Sequence, residues 1–218
     1  MIISEKGLCK AMNDAAAHGG YKLRFNYDDD TLTVLTEEWL VNVETEKIPR
    51  KVLGLIVEHF GYIPEGGCYC VRKKKDEVDI QNYMHATFSV DVLNIATGNT
   101  LPALYTGITV WNRALYVSEI GTLRGAEPVH FGLLEIGTKP SMVSSAENKG
   151  KSLMFADEES SVFISICDSS FLPEAKQTIW DSLEQINWWN AKEDEYQKAD
   201  DEGKQMNLHE REEADNEG

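Results

Sequence analysis

The residues of this chain nearest to a familiar chemical pattern are Gly150, Lys151 and Ser152, with Asp168 sixteen residues further on at the end of the apolar run VFISICD. A glycine loop ending in Lys and Ser can cradle phosphates, and an Asp closing the next strand can hold a magnesium ion. Three physical requirements of that device are missing. The first glycine, which lets the backbone fold around the phosphates, falls on Ser145. The loop must open a helix whose N-terminal amides face the anion, yet SLMFADEESS has too few apolar positions at helical spacing. A crossover to a parallel strand needs about a dozen residues or more, and the stretch from Ser152 to Val162 cannot hold one. The pattern predicts instead a hairpin of strand SLMF, turn ADEES and strand VFISIC, with Lys151 a surface residue entering the first strand.

Other catalytic patterns are missing too. There is no G-x-S-x-G, no H-E-x-x-H and no dinucleotide-type glycine fingerprint. His18, His59, His85, His130 and His209 are scattered singly. His130 has Glu127 three residues before it, and on an extended chain the two would face opposite sides, which makes a poor acid–base pair. His59 flanks an apolar helical stripe and reads as a boundary residue. Cys68 and Cys70 are spaced i, i+2, on one face of a strand, which is neither a redox C-x-x-C nor half of a zinc ribbon. With Cys9 and Cys167 they read as small buried hydrophobes. Neither a metal nor a cofactor is expected.

Two clusters could serve binding. Arg72, Lys73, Lys74 and Lys75 put four cations on the tip of an expected hairpin, suited to blunting a sheet edge or to a weak anion contact. Trp180, Trp188 and Trp189 fall within ten positions, beside Glu193, Asp194 and Glu195. The rings either lock a helix onto the sheet or, where exposed, anchor a partner.

The elements that must carry these residues follow from periodicity and punctuation. Ser4 caps a first helix with Leu8, Met12 and Ala15 or Ala16 on one face, stopped by Gly19-Gly20. Tyr21 to Tyr27 alternates as a strand, Asp28 to Asp30 turns, and strands through Leu32–Val34 and Trp39–Val43 follow. Pro49 opens a helix with Val52, Leu53, Ile56, Val57 and Phe60 as its stripe, ended by Gly61. Beyond Pro64 come short strands: CYCVRKK paired with EVDIQ, then ATFSVDVLNI, ALYTGITVW, ALYVSEI, VHFGLLEI, SLMF and VFISIC, with GTLRG as a loop. A last helix begins near Pro173 with the stripe Ala175, Ile179, Leu183 and Ile186. The fold class predicted is α+β: a helix–strands–helix block, a largely antiparallel β sandwich or curved sheet, a C-terminal helix and an acidic tail. Residues 1–190 form one domain, with a sub-boundary expected near 64–82, and 191–218 the tail.

Composition bounds the function. The 218 residues carry a net charge of −16. The last 28 hold 11 acidic residues against 4 Lys or Arg and few apolar ones, too few to offset the entropy of ordering. Such charge disfavours duplex nucleic acid, whose binding is driven by cations displacing counterions, and favours a basic protein partner. No apolar run approaches a membrane span, and the charged start MIISEKGLCK lacks the apolar centre of an export signal, which places the chain in the cytoplasm.

The function expected is therefore that of a non-enzymatic intracellular binding protein. Its acidic surface engages a basic partner, with inhibition by nucleic-acid mimicry, of the phage or mobile-element accessory type, as one form of this. A single-stranded nucleic-acid-binding accessory protein is the first alternative. An enzyme whose site is assembled from residues distant in sequence is the second. A deep pocket where His, Cys or carboxylates converge would favour the last.

Overall fold

The computed structural model describes residues 1–17, 23–27, 29–63, 68–74, 77–83, 100–135, 139–143 and 152–190. Helix α1 (Glu5–Ala17) is capped as expected: Ser4 Oγ accepts from the Gly7 amide at 3.4 Å. Its buried residues are Leu8, Met12 and Ala16, one face at four-residue spacing. Strands β1 (Leu23–Tyr27), β2 (Thr31–Leu35) and β3 (Trp39–Glu44) form an antiparallel meander. Helix α2 (Arg50–Phe60) starts after Pro49 and stops at Gly61, whose φ of 79° suits only glycine without strain and whose amide donates to Val57 O at 2.7 Å. Its buried face is Val52, Leu55, Ile56 and His59, spaced i, i+3, i+4, i+7. Val57, expected inside, is exposed, because that regular face leaves it on the outer side.

The expected hairpin is β4 (Cys68–Lys74) with β5 (Glu77–Tyr83). The run ATFSVDVLNI lies outside the described residues. Next come β6 (Thr100–Val110) and β7 (Arg113–Ser118), joined by Trp111 and Asn112 at φ 45° and 60°, the two positive values of a type I′ turn. GTLRG is not simply a loop: Leu123–Ala126 forms β8, pairing with β7 and with the end of the last strand. Gly125 hid that strand from propensity. A Cβ there would lie 3.1 Å from Arg113 Cβ and 3.2 Å from the Trp180 ring, so the glycine admits a close approach.

Residues 129–135 of VHFGLLEI are not a strand either. Pro128–Leu133 winds into a 3-10 turn, and only Leu134 makes a single bridge, to Ile3. Pro128 fixes φ and lacks an amide donor, which suits the first position of a helical turn. Strands β9 (Ser141–Val143), β10 (Ser152–Ala156) and β11 (Ser160–Cys167) complete the sheet. β10 and β11 are the hairpin read from the sequence, with Leu153 opposite Ile164 and Phe155 opposite Val162.

The described strands form one antiparallel sheet in the order β10-β9-β6-β7-β8-β11-β3-β2-β1-β4-β5. β10 pairs with β11 as well as β9, so that end of the sheet curls back on itself. The α+β class with a curved antiparallel sheet is thus the observed architecture.

Helix α3 (Glu174–Glu184) follows Pro173. Of the predicted stripe only Leu183 turns inward: Trp180 is buried, Gln177, Leu183 and Glu184 are half-buried, and Ala175, Ile179 and Ile186 are exposed. Gln177 Nε2 donates to Leu172 O at 2.9 Å, and Glu184 Oε1 accepts from the Leu123 amide at 3.1 Å. These bonds and the largest apolar side chain set the rotation, outweighing the isoleucines.

Two cores result. The larger joins α1, α2, β1–β3 and β11 through residues such as Leu8, Met12, Val34, Val41, Ile56 and Ile164. The smaller packs Leu115, Val117 and Leu123 against Leu172 and Trp180. Strand β7 divides them: Leu115 and Val117 face α3, while Ala114 and Tyr116 face the larger core.

Candidate functional site

Thr36 shapes the first wall of the site. Its Oγ1 accepts from the amides of Glu38 at 3.1 Å and Trp39 at 3.2 Å, closing the turn between β2 and β3. The Ser165 amide donates to Glu38 O at 2.8 Å, tying this turn to β11. Glu37 and Glu38 are therefore held at a pinned tip.

The 3-10 turn builds the second wall. Glu127 is the extended residue that caps this turn, and the His130 amide donates back to Glu127 O at 3.2 Å, which folds the two onto one side. The extended geometry that would separate them does not apply, and the pair set aside on sequence grounds is brought together. His130 Nε2 lies 3.8 Å from Glu127 Oε2 and 3.5 Å from Glu38 Oε2. Arg113 holds the other oxygen of Glu127 at 2.8 Å, leaving Oε2 to face the ring. Behind this group the rings of Tyr105, Tyr116, Phe131 and Phe155 follow one another at centroid distances of 5.3, 5.5 and 6.1 Å. They pin Phe131, the neighbour of His130.

The His130 side chain is 11% exposed, and its Nε2 is buried with no hydrogen-bond partner. Both carboxylate distances are too long or too poorly aligned to count as one. Burial pushes the imidazole below its ordinary pKa, Glu38 and Glu127 pull the other way, and Arg113 adds to the lowering. The net direction favours the neutral ring near neutral pH.

Helix α1 forms the third wall. The Ser4 amide donates to Leu133 O and the Glu135 amide to Ile2 O, both at 2.8 Å, fastening the start of the chain to the 3-10 turn. The three walls enclose a cleft of about 390 Å³. Among the described residues, Asp14, Glu37, Glu38 and Glu127 line it against one ammonium, Lys10, which pairs with Asp14 at 3.6 Å. Trp39, Val129 and Leu133 supply apolar surface.

The other described candidates from the sequence do not line this cleft. Trp180 is buried against Gly125 and presents no ring face to a partner. Trp188 and Trp189 are half-buried, their indole N–H groups donating to Leu183 O at 2.9 Å and Ser118 O at 3.0 Å. Trp111 joins the same cluster, with Lys176 Nζ 5.4 Å from its ring centroid. Glu193, Asp194 and Glu195 lie outside the described residues, as do Lys75, Lys151, His18, His85 and His209. Arg72, Lys73 and Lys74 fall on β4, in register with Asp79, Val78 and Glu77 of β5. Ser152 opens a strand, not the helix a phosphate loop requires, and Asp168 caps a 3-10 turn by accepting from the Ser170 amide at 2.9 Å.

Cys68 and Cys70 fall on β4, opposite Tyr83 and Gln81. Burial raises the pKa of both Cys9 and Cys167, so each favours the unreactive thiol. His59, buried, has Nε2 3.2 Å from Asn13 Oδ1, a contact within the fold. Among the described residues no helix is long and apolar enough to cross a membrane.

Sequence reasoning missed Glu38 and the use of His130. A signal existed for the second, since proline between Glu127 and His130 favours a helical turn over a strand. For Glu38 there was none: the chain is rich in carboxylates, and its approach to His130 spans 92 positions.

No protein-family model and no curated protein sequence matches the chain. Among solved structures it is similar to a DNA polymerase sliding clamp from Pseudomonas aeruginosa with ligand, at 10% identity and a TM-score of 0.30, over 79% of this chain and 65% of that one. A second structure of the Pseudomonas aeruginosa sliding clamp matches at 10% identity and TM-score 0.31, over 82% and 66%. The DNA polymerase III subunit beta of that organism matches at 10% and 0.31, over 79% and 65%. The chain thus spans just under two thirds of the length of these clamps. So loose a superposition transfers neither a partner nor an activity.

Proposed function

We propose that this is a non-enzymatic binding protein whose acidic cleft receives a basic group of a protein partner. The observation that carries this is the charge of the cleft: among the described residues, four carboxylates from three separate elements face one space with a single ammonium. Such a lining attracts a lysine or arginine side chain and repels nucleic-acid phosphate. The apolar surfaces of Trp39, Val129 and Leu133 suit the aliphatic stem of such a side chain. Glu193, Asp194 and Glu195 add to the proposal through composition alone, as does action by nucleic-acid mimicry.

Affinity capture from the source cell, with wild-type chain beside Glu37→Lys and Asp14→Lys, tests it. A basic protein retained by wild type and lost from both variants supports the cleft. Equal recovery by all three sinks it.

A second reading, an enzyme with a site assembled from distant residues, is favoured by one observation. His130 meets two carboxylates in a cleft, the convergence that would distinguish an enzyme.

A further inference from the structure

We propose that Glu38, Glu127 and His130 form a binding site for a divalent transition-metal cation of the Zn²⁺ type, with one coordination position open to the cleft. The proposal goes beyond the partner reading and does not rest on it, because Asp14 and Glu37 still line the cleft when the other two carboxylates are engaged.

Donor spacing fits a shared ion. Bonds of about 2.1 Å arranged tetrahedrally place ligand atoms roughly 3.4 Å apart. The His130 nitrogen lies 3.5 and 3.8 Å from its two carboxylate oxygens, and all three donor atoms lie within 4.8 Å of one another. Neither contact makes a hydrogen bond, and both separations are close to those of atoms sharing an ion. Glu38, 61% exposed, has room to adjust by side-chain rotation.

The buried nitrogen points to a cation as well. Nε2 of His130 is buried, has no hydrogen-bond partner and faces two carboxylate oxygens. A neutral imidazole lone pair aimed at two anions is unfavourable, and an Nε2–H at these distances is poorly satisfied. A cation between the three groups removes both difficulties.

The three groups are also preorganised. Arg113 fixes the far oxygen of Glu127 at 2.8 Å, the second contact that orients ligands in metal sites. Thr36 and Ser165 hold the turn that carries Glu38. One imidazole and two carboxylates, with no thiolate joining them among the described residues, suit Zn²⁺, Mn²⁺ or Fe²⁺ better than Cu⁺, and the nitrogen disfavours Ca²⁺ and Mg²⁺. Three protein donors leave a fourth position for water or a ligand in the cleft.

The test is calorimetric titration of the chelator-treated full chain with Zn²⁺, and with Co²⁺ followed by absorption. We expect one equivalent of each bound. The Co²⁺ spectrum should show d–d bands without thiolate charge transfer, because the cysteines take no part. Glu38→Gln and His130→Gln should each weaken binding about 10-fold or more. Glu38 is mostly exposed, so its variant should melt like wild type even if the histidine variant does not fold. Absence of binding to wild type overturns the proposal. So does a thiolate charge-transfer band, or binding that Glu38→Gln leaves unchanged in a folded protein. Partner capture and metal titration use separate readouts, so either result can fail alone.

Discussion

Gly7 of α1 lies directly against Gly132 of the 3-10 turn: a Cβ on Gly7 would overlap the Gly132 carbonyl oxygen and come within 2.6 Å of its carbon. Both glycines line the cleft, so this contact sets how closely its first-helix wall approaches the wall carrying His130. The obstructing atoms are backbone, which cannot swing aside as a side-chain tip can. Gly7→Ala should therefore cost about 3 kcal/mol or more, by forcing α1 off the turn. A urea midpoint within experimental error of wild type would show that the two elements do not touch as described.

The inward face of α3 can be checked by contrasting Trp180 with Ile179. Trp180 is buried and touches the space above Gly125, while Ile179 is 52% exposed. Trp180→Ala should cost about 3–5 kcal/mol, as large-to-small changes in a packed core do. Ile179→Ala should stay within about 0.5 kcal/mol. Equal losses, measured by denaturant unfolding, would restore the isoleucine stripe as the packing face.

Asp168 supplies a test against pH. The Ser170 hydrogen bonds hold its carboxyl below the ordinary value of 3.8. A carboxylate whose folded pKa is depressed stabilises the fold above its unfolded value, and that contribution is lost as pH falls through the folded value. Asp168→Ala should cost about 1 kcal/mol near pH 6, the usual worth of such a cap, less whatever solvent screening removes. The gap between wild type and variant should narrow as pH drops below about 3.8. A gap constant down to the acid limit would mean that the charge of Asp168 does not contribute.

What the sequence alone determined is local. Ser4, Pro49, Gly61 and Pro173 mark helix ends because caps and proline act within a few residues. The hairpins Cys68–Tyr83 and Ser152–Cys167 were legible because strand alternation and turn residues are short-range signals. The overall class followed from the run of such strands. Tertiary structure decided the rest. It turned α3 so that Trp180, not Ile179, faces the sheet, through bonds to Leu123 and Leu172 that no helical periodicity contains. β8 emerged around Gly125 because two neighbouring strands pair with it and Trp180 needs the space. The cleft was decided in the same way. Glu38 reaches His130 because Thr36 shapes one turn, Pro128 another, and the sheet carries both to the same place. Spacing along a chain encodes which face a side chain takes within one element. Which elements meet depends on packing across the whole molecule, and there the functional geometry of this protein resides.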